Sequence, residues 1–311
     1  MSTADLTAPQ FTDEDAAREY LEAQRWPEHV FCPHSGGVEK ITKMEGKSHR
    51  PGLYLCGDCR GNFSVTVGTV YERSHIPLHK WLLATHLMTS SKKGISAHQL
   101  HRMLGITYKS AWFMAHRIRE AMKPATTEPM GGAGKHVEAD ETYIGRKAGV
   151  PKRRGHQHKR TVVTLVERGG EARSFHIDNA SAKEIGPILA KHVRKESTLQ
   201  TDEAKLYIQL GEKFADHQSV NHVSDEWVRG EAHTNTVEGF YSVFKRGFKG
   251  IYQHCDERHL HRYLAEFDFR YSNRARLGVN DKERADRALK GIEGKRLTYR
   301  RTEGQKAASL G

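Results

Sequence analysis

Residues 233–250, HTNTVEGFYSVFKRGFKG, set the tightest limit on what this chain can fold into. Val237, Phe240, Tyr241, Phe244 and Phe248 recur at helical spacing, so one face of a helix packs into a core. Glu238 and Lys245 flank that face. Seven residues make almost two turns, which puts the carboxylate and the ammonium in one stripe about 10 Å apart along the axis, too far to pair. Such a helix can hold a cation through one group and a phosphate through the other. A solvated rim on an amphipathic helix satisfies the same spacing, so the rest of the chain has to decide.

The 311 residues leave room for more than one domain, and 50 Lys and Arg against 38 Asp and Glu give a formal net charge of +12. That excess favours a polyanionic partner, most simply nucleic acid. No apolar run is long enough to span a bilayer and no cleavable signal opens the chain, so a cytoplasmic protein without a membrane partner is expected, associated with the nucleoid when bound to DNA. Of the four cysteines, Cys32, Cys56 and Cys59 cluster near the N-terminus. They suit a metal site in a reducing compartment better than a disulfide framework.

In chain order, residues 1–25 end in an N-terminal helix with Thr12 as its cap and an acidic first turn. Residues 26–76 form a zinc-ribbon-like β module. FCPHSGG supplies Cys32 and His34, with Ser at position 35 where a second CxxC would end; YLCGDCRGNF supplies Cys56 and Cys59, with Gly57 easing the turn. Cys32, His34, Cys56 and Cys59 are thus a candidate Zn²⁺ site; a metal-free ribbon held by Phe31, Tyr54 and Phe63 is the alternative. Residues 77–123 are helical throughout. A turn at Gly105 and Ile106 and a second helix opening near Thr107 fit a helix-turn-helix that offers Tyr108, Lys109, Ser110, Trp112, Arg117 and Arg119 to DNA, although a purely structural helix pair shares the pattern. Residues 124–134 read as a linker.

Beyond the linker the period becomes that of strands. HVEADETYIG places Val137, Ala139, Glu141 and Tyr143 on one face and Glu138, Asp140 and Thr142 on the other. A basic loop, RKAGVPKRRGHQHKR, leads to two β-rich runs around a Gly-Gly turn, then to an amphipathic helix capped by Ser181, then to a short strand ending at Asp202. Three strands, a helix and a fourth strand give an α/β fold over residues 135–275: a ribonuclease-H-like mixed sheet with flanking helices, followed by a basic tail, 276–311. In that topology the first and fourth strands are neighbours, so Asp140 and Asp202 come close together, with Glu238 as a third acid. Three converging carboxylates repel unless cations neutralise them. Two Mg²⁺ or Mn²⁺ ions, roughly 4 Å apart, would clamp the attacking and leaving oxygens of an in-line displacement at phosphorus.

VEADETYIG, TDEAKLY, the 233–250 stretch and HLHRYLAEFDFRYSNR together resemble the catalytic domain of bacterial insertion-sequence transposases of the DDE type. More narrowly they resemble the ISXO-like group, which sets a zinc ribbon and a helical DNA-binding segment before the catalytic core. The resemblance covers residues 26–273. It implies that Asp140, Asp202 and Glu238 are the metal-binding triad and that Lys245 contacts DNA near the cleaved end. The implied reaction cuts DNA at the element's terminal repeats and joins the freed 3′-hydroxyl to target DNA, within a homo-oligomer. Lys109, Arg117, Lys152, Arg153, Arg154, Lys245 and Arg246 are the expected DNA contacts. A non-catalytic DNA-binding regulator on an inactive scaffold and a general nuclease are the other classes that fit. Ser35 departs from the ribbon pattern. Asn235, three residues before Glu238, reads as the cap of its helix rather than as an auxiliary ligand.

Overall fold

The computed structural model describes residues 5–124 and 128–298; residues 125–127 of the expected linker and 299–311 of the expected basic tail lie outside them. The chain divides into two compact units. Of the described residues, one comprises 5–87, 97–121 and 285–298; the other is built from 88–96, 122–124 and 128–284.

In the first unit a 3-10 turn, Pro9–Phe11, precedes α1, Glu14–Arg25. The cap of α1 is Asp13 rather than Thr12: its carboxylate accepts the Ala16 amide at 2.8 Å, while the Thr12 amide closes the preceding turn on Pro9. A carboxylate outcompetes a hydroxyl at the positive end of a helix. Strands β1 (Ile41–Met44), β2 (Leu53–Cys56) and β3 (Asn62–Phe63) form an antiparallel sheet in that order. Trp26 presents its edge to Phe31, Tyr54 and Phe63, and Tyr54 stacks on Phe63 at 5.5 Å, so the small sheet has an aromatic core. Helix α2, Leu78–Ser90, starts in this unit and ends in the other. Helices α3 (Ala97–Leu104) and α4 (Tyr108–Ala121) meet at Gly105, whose φ of +60° a side chain would strain, and the Thr107 hydroxyl accepts the Ser110 amide at 3.2 Å. The helix-turn-helix is formed where its pattern places it.

The second unit carries β4 (His136–Ile144), β5 (Arg160–Glu167), β6 (Ala172–Ile177), α5 (Ala182–His192), β7 (Thr198–Thr201), α6 (Leu206–Gly211), β8 (Asp216–Ser219), α7 (Asn235–Gly247) and α8 (Leu260–Ser272). Helix α9, Asp281–Lys290, begins in this unit and continues in the first. The sheet order is β6-β5-β4-β7-β8, antiparallel from β6 to β4 and parallel from β4 to β8, which is the ribonuclease-H-like mixed sheet. One face buries Val237, Phe240, Phe244, Leu264 and Phe267 of α7 and α8; the other buries Ile185, Leu189 and Tyr207 of α5 and α6. With helices on both sides, β5 is buried along nearly its whole length, hence its unbroken apolar run. Strand β8 and helix α6 add to the expected order; DHQS lacks the apolar alternation that marks a strand.

Three local expectations change. Ser181 stands at the N-cap of α5 but makes no capping bond; Glu184 reaches back to the amides of Asp178 and Asn179 instead. Strand β7 ends at Thr201, leaving Asp202 just beyond the ladder. The end of the linker is tied to the sheet unit: the Met130 amide donates to His192 O at 2.8 Å, and the Gly131 amide to Glu167. Among the described residues no helix is long and apolar enough to cross a membrane.

Candidate metal centre

Asp140 lies on β4, whose parallel register with β7 runs His136↔Thr198, Val137↔Leu199 and Glu138↔Gln200. Two steps further along the same register, Asp202 stands level with Asp140. The Asp202 carboxylate accepts the Ala204 amide at 3.0 Å, which fixes the turn that carries it off the strand.

The third acid is positioned by a residue two places before the first. Glu138 is fully buried and accepts from the Thr236 amide at 2.8 Å, the Val237 amide at 2.9 Å, the Thr236 hydroxyl at 2.7 Å and Arg168 Nε at 2.7 Å. A strand carboxylate thus caps α7 and satisfies amides that the helix itself leaves open. Asn235 is the exposed first helical residue and Thr234 makes no side-chain cap, so the expected Asn235 cap gives way to Glu138. A neutral side chain competes poorly with a buried carboxylate for the same positive helix end. Tyr241 adds a second tie, donating from its hydroxyl to the backbone oxygen of Asp140 itself at 2.6 Å. Glu238 accepts from the Thr234 hydroxyl at 2.9 Å, and His222 Nε2 lies 3.4 Å from the same oxygen.

Burial, followed by the charges of Glu141 and Asp202 and more weakly of Glu238, pushes the Asp140 carboxyl up to about 8. Burial likewise raises Asp202 and Glu141; Tyr207 offsets part of the rise at Glu141 by donating to it at 2.7 Å. Burial thus favours the protonated forms of Asp140, Asp202 and Glu141 where no cation is near; the donors are all oxygens, although Asp140, Asp202 and Glu238 do not bring their carboxylates within 4.8 Å of one another. That donor set fits a hard divalent cation. Lys245 is half-buried on the same helix with Nζ 5.8 Å from the Tyr241 ring centre, while Arg246 is exposed and donates to Ser242.

Lys109, Lys152, Arg153 and Arg154 are exposed, as a DNA contact requires. Arg117 is not. It is buried, with its guanidinium over the rings of Trp81 and Phe113 and donating to Glu72 O, so it packs the helix pair from inside. The sequence could not distinguish the two because an arginine on an amphipathic helix packs through its stem as readily as it reaches outward.

In the ribbon, Cys32, Cys56 and Cys59 bring their sulfurs within 4.8 Å of one another; among the described residues they are the one trio of His, Cys, Asp or Glu that does so. The Cys59 amide, then the Ser35 hydroxyl, hold the Cys56 thiol down to about 7, and the Ser35 oxygen is 3.5 Å from Cys56 Sγ. Three soft sulfur donors, Cys56 the readily ionised one among them, fit Zn²⁺. The His34 ring falls outside this trio; its backbone amide instead points at Cys32 Sγ at 3.4 Å. Gly57 serves close approach rather than turn conformation, since a Cβ there would meet that of Lys40 at 3.0 Å.

Sequence reasoning assigned Glu138, Glu141, Tyr241 and His222 no part in the site. A buried and a solvated glutamate look alike in a strand, and only the shared face of Glu138 and Asp140 hinted at their common neighbour.

The family description "ISXO2-like transposase domain" matches residues 131–272, and "Transposase zinc-ribbon domain" matches residues 12–62. A protein of Halobacterium salinarum, named as an uncharacterized protein in transposable element ISH50, is 30% identical over 253 residues, covering 76% of this chain and 83% of that one. A chain of the simian T-cell lymphotropic virus intasome in complex with PP2A regulatory subunit B56 gamma aligns with a TM-score of 0.29 and 14% identity, over 54% of this chain and 63%, under two thirds, of its own length. That overlay is too loose to bear on the site. With both domains in order along the sequence and a relative matched across most of its length, the chain belongs to the ISXO2-like transposase family.

Proposed function

We propose that this protein cuts DNA at the ends of its own mobile element and joins those ends to target DNA, with Asp140, Asp202 and Glu238 holding two Mg²⁺ or Mn²⁺ ions. The observation that carries the reading is the β4–β7 register, which sets Asp202 level with Asp140, on a strand whose Glu138 also fixes the start of the Glu238 helix. When bound, the ions would supply charge neutralisation at phosphorus and a more acidic water. The chain's own residues do the positioning. Glu138 and Tyr241 lock α7 against β4, the Thr234 hydroxyl orients Glu238, and Lys245 stands two turns further on to receive a strand phosphate.

Lys109, Lys152, Arg153, Arg154, Lys245 and Arg246 contribute the basic contacts, so affinity for DNA falls steeply with salt. Cys32, Cys56 and Cys59 hold Zn²⁺ and stiffen the ribbon, and the active species is a homo-oligomer that brings two DNA ends together. We assign DNA contact to the ribbon (26–76) and the helix pair (77–123), and catalysis to residues 135–275.

The test is nicking of a labelled duplex carrying the element's terminal repeat, with Mg²⁺ or Mn²⁺, comparing wild type with Asp140→Asn and Asp202→Asn. Cleavage at the repeat boundary, lost in both variants while DNA binding survives, is the expected result. Cleavage retained by both variants rules the assignment out; cleavage of any duplex points to a general nuclease, and binding without cleavage to a regulator.

A further inference from the structure

On the other side of α7 from Glu238, the sheet unit holds a cavity of about 430 Å³ that the proposed chemistry does not use. Its apolar wall is Phe240, Val243, Phe267 and Tyr271, and its charged wall is Lys92, Arg270, Arg274, Arg276 and Arg284. Asp281 is the one acid lining it, and Asp281 is spent on Arg284 at 2.7 Å. Arg270 is held by Glu266 behind the wall, so Lys92, Arg274 and Arg276 are the cations that face the opening with no acid in its lining to balance them.

Arg270 makes this more than a charged surface. It is 7% exposed, yet two of its guanidinium nitrogens, Nε and Nη2, are buried with no hydrogen-bond acceptor. Nη1 is committed to Glu266 and to the backbone oxygen of Met88. A buried N–H left unpaired is costly, so such groups favour a partner. Burial and the adjacent charge of Arg276 both pull Arg274 below the usual guanidinium range, as expected where like charges crowd. Arg274 sits 3.9 Å over the ring of Tyr271, and Tyr271 meets Phe240 edge-on at 5.4 Å. The result is a flat aromatic and guanidinium wall, with the cations of Lys92 and Arg276 exposed beside it.

We propose that this cavity binds a single nucleotide, its phosphate on the Arg270, Arg274 and Lys92 side and its base against Tyr271 and Phe240. Guanidinium forks pair with phosphate oxygens two at a time, and aromatic faces stack any base. A nucleotide unpaired from a DNA strand and a free nucleotide share this chemistry. The strand is the favoured source, since α7 carries Glu238 on one flank and lines this cavity through Phe240 and Val243 on the other.

The full-length Asp140→Asn chain, incapable of the proposed cleavage, serves as the test protein, so the result does not depend on catalysis. Thymidine 5′-monophosphate is titrated calorimetrically beside thymidine and inorganic phosphate, and a 5′-phosphorylated single-stranded tetramer is then used as competitor. Saturable binding of the monophosphate, at least tenfold tighter than of thymidine or phosphate, is expected. The exposed pair Lys92→Gln with Arg276→Gln should weaken it about tenfold, and Arg270→Lys, which keeps the charge opposite Glu266, should weaken it further with an unchanged circular dichroism spectrum. Competition by the tetramer assigns the pocket to a DNA strand, and its absence assigns it to a free nucleotide. No saturable binding at millimolar monophosphate, equal binding of inorganic phosphate, or full affinity in both variants overturns the proposal.

Discussion

Glu138 accepts the backbone amide of Val237 at 2.9 Å across 99 positions of sequence, making one strand carboxylate the anchor of the helix that carries Glu238. Because Arg168 shares that carboxylate, Glu138→Ala would leave the half-buried Arg168 without its Nε partner and two helix amides open. We expect a loss of about 3–5 kcal/mol in urea denaturation. A loss below about 1 kcal/mol would show that α7 holds its place by apolar packing alone.

Replacing Asp140 by Asn should separate stability from activity. Above pH 8 and without divalent ions, the wild-type carboxylate is charged beside Glu141 and Asp202, so the amide should stabilise the chain by about 1–3 kcal/mol. With millimolar Mg²⁺ the order should reverse, since only the wild type gains from the ion. Thermal melts of both proteins, with and without Mg²⁺, read this directly. A variant that gains as much from Mg²⁺ as the wild type would remove Asp140 from the ligand set.

Asp268 supplies a second pH signature, on Ser174, two strands across the sheet from Asp140. Its carboxyl is buried, accepts from the Ser174 amide and hydroxyl at 2.8 and 2.6 Å, and burial pushes it up to about 7. The folded chain keeps this proton until near neutrality, whereas a free carboxyl releases it near pH 3.9. The contribution is therefore fully present below about pH 4 and is lost as pH rises toward 7. Asp268→Asn should flatten the fall in unfolding free energy between pH 4.5 and 7.5 relative to wild type. Parallel curves for the two proteins would refute the assignment.

For the ribbon, Ser35→Cys should tighten zinc binding, because the Ser35 oxygen already stands 3.5 Å from Cys56 Sγ. Cys56→Ser should lose the ion. Competition with a chromogenic chelator ranks the three proteins, and equal zinc retention in all three would place the ion elsewhere.

The two basic residues expected to contact DNA from the helix pair, Arg117 and Lys109, now divide. Arg117→Ala should lower stability by about 1–3 kcal/mol through lost packing over Trp81 and Phe113. Lys109→Ala should leave stability within about 0.5 kcal/mol and weaken DNA binding, with a smaller salt slope. Filter binding at several salt concentrations and a denaturation curve for each variant decide the matter.

The sheet order was legible because strand runs, a Gly-Gly turn and one amphipathic helix leave few ways to build a mixed sheet. The same order is what predicts that Asp140 and Asp202 meet. Glu138 was not legible, because its role depends on which helix end arrives beside it, a matter of tertiary packing. Thr12 and Asn235 failed as caps for a related reason: local rules rank residues near a helix start, whereas in the fold a carboxylate from Asp13 or from another strand wins the same amides. Arg117 was misread because charge alone does not say which way a long side chain turns.

The register between β4 and β7 also sets a schedule. Asp140 is synthesised with the first strand of the sheet, but Asp202 follows only after three more strands and a helix, and Glu238 after a further helix and strand. At about 5–20 residues per second, several seconds of translation separate the first acid from the last. A nascent or truncated chain that stops before α7 would have its first two acids without the third. For a protein whose proposed chemistry breaks chromosomes, the fold itself delays competence until α7 has followed the last strand of the sheet.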